Sequence, residues 1–137
     1  MTLLLMVLFS VQLSGWELLA SVEVVEGYDD FMGGQIERPH FTSELLSSEG
    51  DEIVLEGFII PLEQGDNQEY FVLSRFPYQS CFFCGAAGPE TVVEVYSDHN
   101  VSYTDERVRV TGKLRLNRDN PLQLFYILEH CEVQRLD

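Results

Sequence analysis

The sequence predicts a mainly β domain: a five-stranded OB-like Greek-key barrel preceded by short N-terminal helices. Three observations predict it. From residue 52 onward, β-branched and aromatic runs take over, and turn signals divide them into five segments. The fourth run, RVRVTGKLRL at 107–116, alternates strictly, with Val108, Val110, Leu114 and Leu116 on one face and Arg107, Arg109, Thr111, Lys113 and Arg115 on the other. The first and fourth runs each carry a central glycine, Gly57 and Gly112, where a strand of a small closed barrel bends or bulges.

The elements come in this order. GWELLASVEV at 15–24 reads as a short helix whose Trp16 and Leu19 pack as a lid on the rest of the domain. EGYDDFMGGQIERPHF at 26–41 reads as an irregular Gly-rich connection with at most one short strand. TSELLSSEG at 42–50 is a brief helical turn, capped by Thr42 or Ser43 and closed by Gly50. The barrel strands are then EIVLEGFIIP (52–61), EYFVLSRF (69–76) after the turn GDNQ, TVVEVYS (91–97), the alternating run 107–116, and LQLFYILEHCEVQ (122–134) after the turn NRDNP. DHNVSYTDE at 98–106 reads as a polar connector.

A chain of 137 residues is enough for one domain with its own core. Its 23 acidic and 8 basic residues give a formal charge of −15, which repels phosphate backbones and argues against nucleic acid as a partner. One strand holds four of the eight basic residues, Arg107, Arg109, Lys113 and Arg115; with carboxylates abundant, cross-strand pairing is their expected role. Residues 3–13, LLLMVLFSVQL, match a signal-peptide apolar region and are too short for a comfortable membrane span. Ser14 and Gly15 come next as small residues. The expectation is a signal peptide over 1–15 and a single OB-like domain over 16–137, exported to the periplasm or envelope, with no transmembrane domain in the mature chain.

The chemistry concentrates in QSCFFCGAAGPE, residues 79–90. Cys81 and Cys84 stand three apart, a spacing that suits one metal ion, a redox dithiol or a local staple. Gly85 and Gly88 let the backbone turn sharply around an ion. Structural zinc takes four ligands, and Glu90 is the nearest candidate for a third. A thioredoxin-like pair would sit at a helix N-terminus beside a cation; here the pair runs between strands, and the loop holds no Lys, Arg or His. His130 and Cys131 are adjacent and should point to opposite strand faces unless a bulge intervenes, so Cys131 is expected in the core. His40 and His99 read as surface or packing residues. There is no GxSxG, HExxH or P-loop signature.

Taken together, WELLA, GFIIPLE, VLSRFPYQSCFFCGAAGPETVVEV, VRVTGKLRLNRDNP and FYILEHCEV resemble a family of small exported bacterial proteins of unknown function. The densest similarity spans Phe76 to Val95, with SCFFCG-x-AGPE its most specific part. The resemblance implies an OB-like barrel with the Cys loop between its second and third strands. A broader related group, linked with zinc-responsive transport, carries a Cys-x-His pair at the comparable loop. By that resemblance Cys81 and Cys84 correspond to a metal-binding pair for a soft-ligand ion such as zinc or copper(I). The expected function is a non-enzymatic, zinc-type metal-binding accessory module of the bacterial envelope, with Cys81, Cys84 and Glu90 as ligands. Its partner would be an envelope protein or a metal-transport component. The alternatives are a thiol-disulfide protein, redox or stapled, and a purely structural interaction barrel.

Overall fold

A computed structural model describes residues 15–136, the side chain of Cys84 excepted. The expected signal peptide therefore lies outside the described residues, but for Gly15. Among the described residues, no helix is long and apolar enough to cross a membrane.

Five strands close the barrel: β3 (Glu52–Pro61), β4 (Asn67–Ser74), β5 (Val92–Ser102), β6 (Val108–Leu116) and β7 (Tyr126–Arg135). Around the barrel the order is β3-β4-β5-β7-β6, with β5 and β7 parallel and the other neighbours antiparallel. The fold is the expected OB-like barrel. β3 serves two neighbours, since Glu52–Gly57 pair with β6 and Phe58–Pro61 pair with β4. Gly57 sits at that handover, where any Cβ would strike the Ser74 carbonyl oxygen, so the bend admits only glycine.

Alternation along the strands sends Leu55, Ile59, Phe71, Leu73, Val93, Val95, Val108, Val110, Leu114 and Leu116 into one interior core. On β7, Tyr126 and Leu128 face inward, and strict alternation would bring His130 in next. A bulge prevents this. Two steps along β6, Thr111 to Lys113, stand opposite three along β7, Glu132 to Glu129. His130 takes a left-handed backbone at φ 52 and turns out to solvent beside Asp98, and Cys131 takes the interior position. A Cβ on the facing Gly112 would strike the Cys131 sulfur, so this glycine makes room for a side chain across the ladder. Burial pushes the Cys131 thiol pKa up to about 12.

The two N-terminal helices pack against each other and against the barrel's interior core. α1 (Gly15–Leu19) buries Trp16 and Leu19 against the interior core, as its sequence predicts. It is fixed by Trp16 Nε1 donating to the Glu56 carbonyl (2.7 Å) and the Tyr126 hydroxyl donating to the Leu19 carbonyl (2.7 Å). α2 (Ser43–Ser48) adds Leu45 to the same core and is N-capped by Thr42, whose hydroxyl accepts from the Leu45 amide.

Three segments differ from the sequence expectation. The helix stops at Leu19, and 23–40 is a full hairpin rather than an irregular connection: β1 (Glu23–Asp29) and β2 (Gly34–His40) pair along their whole length. Its turn rests on Asp29, whose carboxylate accepts from the Met32 amide (2.8 Å) and from Arg38, and on Gly33 at φ 70. β5 runs on to Ser102 through half of the expected connector, and β7 starts at Tyr126, four residues later than expected. Three of the four basic residues of the 107–116 run pair as expected: Arg109 forks onto Glu56 (2.9 and 3.2 Å), Arg107 approaches the same carboxylate (3.6 Å), and Arg115 binds Glu129 (2.6 Å).

Candidate binding groove

The outer face of β3, β4 and β5 is also covered. Ile60, Val72 and Val92 point away from the interior and form a second, smaller core with Cys81, against which Phe82 and Leu124 pack. Two loops supply this cover: the Cys loop between β4 and β5, and the 117–125 loop between β6 and β7.

The Cys loop is a chain of 3-10 turns, Tyr78–Ser80, Phe82–Cys84 and Pro89–Thr91. Gly85 closes the middle turn in the left-handed region at φ 74, its amide bonded to the Phe82 carbonyl (2.9 Å). The Cys81 side chain is fully buried in the outer core. The side chain of Cys84 lies outside the described residues. Glu90 folds its carboxylate back over Gly88, so closely that a Cβ there would collide with both oxygens. Glu90 also acts on the barrel end, since burial first and this carboxylate second hold the Tyr126 hydroxyl well above its ordinary pKa. Among the described residues, no three His, Cys, Asp or Glu side chains form a group that could hold a metal ion.

The 117–125 loop is held by two polar side chains that sequence reasoning did not single out. Asn117 is buried and donates through Nδ2 to the carbonyls of Asn120, Gln123 and Leu124, while its Oδ1 accepts from the Asn120 amide. Glu94, 3% exposed on β5, accepts from the Leu124 amide (2.8 Å), the Tyr70 hydroxyl (2.6 Å) and the Tyr96 hydroxyl (3.4 Å). Tyr70 and Tyr96 stack at 4.6 Å. Desolvation and the Glu94 carboxylate keep the Tyr70 hydroxyl protonated far above the ordinary tyrosine range. The available signal was Glu94 in VVEVY: its outer-face companions Val72 and Val92 are apolar, and an apolar outer face must be covered.

Between these loops and β2 lies a groove of about 520 Å³. Tyr70, Val72 and Glu94 line its β4–β5 side; Phe82, Phe83 and Pro89 come from the Cys loop; residues 117–125 and the β2 segment Ile36–Pro39 form further walls. Leu62, Phe83 and Leu122 stay substantially exposed at this groove. The volume falls in the range of small-ligand sites, and the composition is of the usual kind, largely apolar with a few fixed polar groups.

These features define a closed OB-like barrel with a loop-covered outer sheet face. Among solved structures, the chain is similar to the crystal structure of a DUF3299 family protein from Pseudomonas aeruginosa PAO1 (TM-score 0.52, 22% identity, 72% of this chain and 68% of that one covered). At this identity the likeness concerns the fold. No family model and no curated protein matches the chain.

Proposed function

We propose that the protein is a non-enzymatic interaction module that receives apolar groups of a partner in the groove over β4 and β5. The groove itself supports this reading most: a cleft of about 520 Å³ in which Leu62, Phe83 and Leu122 remain exposed although a second core lies directly beneath. In OB barrels the outer face of the second and third strands, with the loops between strands one and two and between four and five, is the usual ligand surface. Here those parts are β4, β5, Leu62 and residues 117–125. Export to the envelope belongs to the same proposal and rests on the apolar run at residues 3–13. Selection of a displayed library of random linear peptides on the protein tests the groove. Peptides recovered on the wild type should fail on Leu122→Arg and Phe83→Ser variants that keep the wild-type circular dichroism; equal binding to both would end the reading.

Metal binding is the second reading. It rests on one 3-10 turn separating positions 81 and 84, and on Gly85 closing it in the left-handed region. Zinc would be held by Cys81 and Cys84 with Glu90 as third ligand. Because Cys81 also fills the outer core, the informative variant is Cys84→Ser. Zinc titration of the reduced protein should give tight binding that this variant loses, and equal weak binding by both would remove zinc from the account. Native mass spectrometry of the same sample separates zinc from a Cys81–Cys84 disulfide, the thiol-disulfide alternative, by mass.

A further inference from the structure

The five barrel strands form a closed ring, whereas β1 hydrogen-bonds to β2 and, among the described residues, has no strand partner on its other edge. No side chain of β1 before Asp29 is fully buried. The register of this ribbon contains one anomaly. Glu23 stands opposite His40 and pairs with it (3.2 Å), and Asp29 pairs with Arg38 across the turn. Glu26 stands directly opposite Glu37. Both are exposed, and neither side chain makes a hydrogen bond or ion pair among the described residues. Like charges directly opposed across a ladder destabilise it, so this pair weakens the ribbon rather than holding it. The same ribbon face presents Val24 and Tyr28 on either side of Glu26, and the turn presents Phe31, 75% exposed, and Met32.

We infer that this ribbon docks an extended basic segment of another protein, with a Lys or Arg seated between Glu26 and Glu37. The free edge of β1 supplies main-chain hydrogen bonds in the manner of strand addition. The two carboxylates neutralise the incoming cation, Tyr28 offers it a ring face, and Val24 takes a neighbouring apolar side chain. A second copy of this chain does not fit, because each copy carries −15 and would bring carboxylates to carboxylates.

The probe is a fluorescein-labelled peptide of alternating Lys and Val, followed by fluorescence anisotropy at low and moderate salt with the full chain. The wild type should bind it and ignore the corresponding Glu/Val peptide. Glu26→Gln/Glu37→Gln should weaken binding about tenfold or more, whereas Asp105→Asn/Glu106→Gln, which removes the same charge from an exposed loop, should change it less than about twofold. Equal weakening by both pairs would mean that only the general acidic field attracts the peptide, and the proposal would be overturned. It would also fall if the wild type did not bind. The Glu26→Gln/Glu37→Gln protein should melt higher than the wild type, which separates a lost docking site from a lost fold. Glu37 also belongs to the β2 wall of the groove, so the separating variant is Glu26→Gln alone, outside that lining: it should weaken the Lys/Val peptide yet keep the peptides selected on the groove, which makes failure of the groove reading and failure of this one distinguishable.

Discussion

The two faces of the β4–β5 pair bury similar residues by different means. On the inner face, Phe71, Leu73, Val93 and Val95 are enclosed by strands, and alternation alone puts them there. On the outer face, Val72 and Val92 are enclosed by two loops, pinned to the sheet by Cys81 packing and by Glu94. The inner face has its cover supplied by the ladder. The outer face depends on a handful of contacts, and that is where a groove can form. A perturbation inside should therefore act on the whole molecule, and one outside should act on a loop.

The largest effect is expected from Phe71→Ala, which empties the interior and should cost about 3–5 kcal/mol; chemical denaturation would show it as one cooperative transition moved to lower denaturant. Next is Gly112→Ala, whose Cβ meets the Cys131 sulfur. It should cost about 1–3 kcal/mol by overpacking. Cys131→Ala in the same chain should relieve part of that loss, and a double-mutant cycle reads the coupling directly.

On the outer face, Glu94→Ala removes the acceptor for the Leu124 amide and the Tyr70 hydroxyl. The expected loss is about 1–3 kcal/mol. Hydrogen exchange should rise across residues 117–125 while the amides of Val93 and Val95 stay protected. Uniform exchange throughout the barrel would show that the two faces unfold together and would break the comparison. The smallest effect belongs to the Glu49–Arg118 pair at the base of the same loop. The Arg118 guanidinium, then the Leu116 amide, hold the Glu49 carboxyl below its ordinary 4.5. A lowered folded value stabilises the fold above that ordinary value, and the contribution is lost as pH falls from there through the folded one. Arg118→Ala should therefore lower the neutral plateau of the stability–pH curve slightly and flatten its acid limb, with the two proteins converging at pH below the folded Glu49 value.

The inner barrel was legible because period-two alternation and two strand glycines carry their meaning locally. Even so, Gly112 proved to face a bulge on β7 rather than form one on β6. The β1–β2 hairpin was not legible: Gly-Gly and Pro39 mask a ribbon whose turn depends on Asp29 reaching both Met32 and Arg38. Cys81, Cys84 and Glu90 stood out by type and spacing, yet burial of Cys81 and the backward fold of Glu90 are tertiary facts. Asn117 was illegible for a similar reason, since an Asn in a turn ordinarily faces water, and Glu94 was legible only through its apolar outer-face companions.

The position of β7 has a consequence for how the chain reaches its fold. It is the last of the five barrel strands in sequence, yet it lies between β5 and β6 and joins both. Until residues 126–135 are available, β5 has only β4 and β6 only β3 as a neighbour, and the interior stays open to water. Two of the five barrel pairings join strands distant in sequence, as in Glu94 with Ile127 and Ile53 with Gly112, so closure is expected on the slow, millisecond-to-second side of small-domain folding. A nascent chain of this design therefore keeps its barrel open until residues 126–135 have emerged.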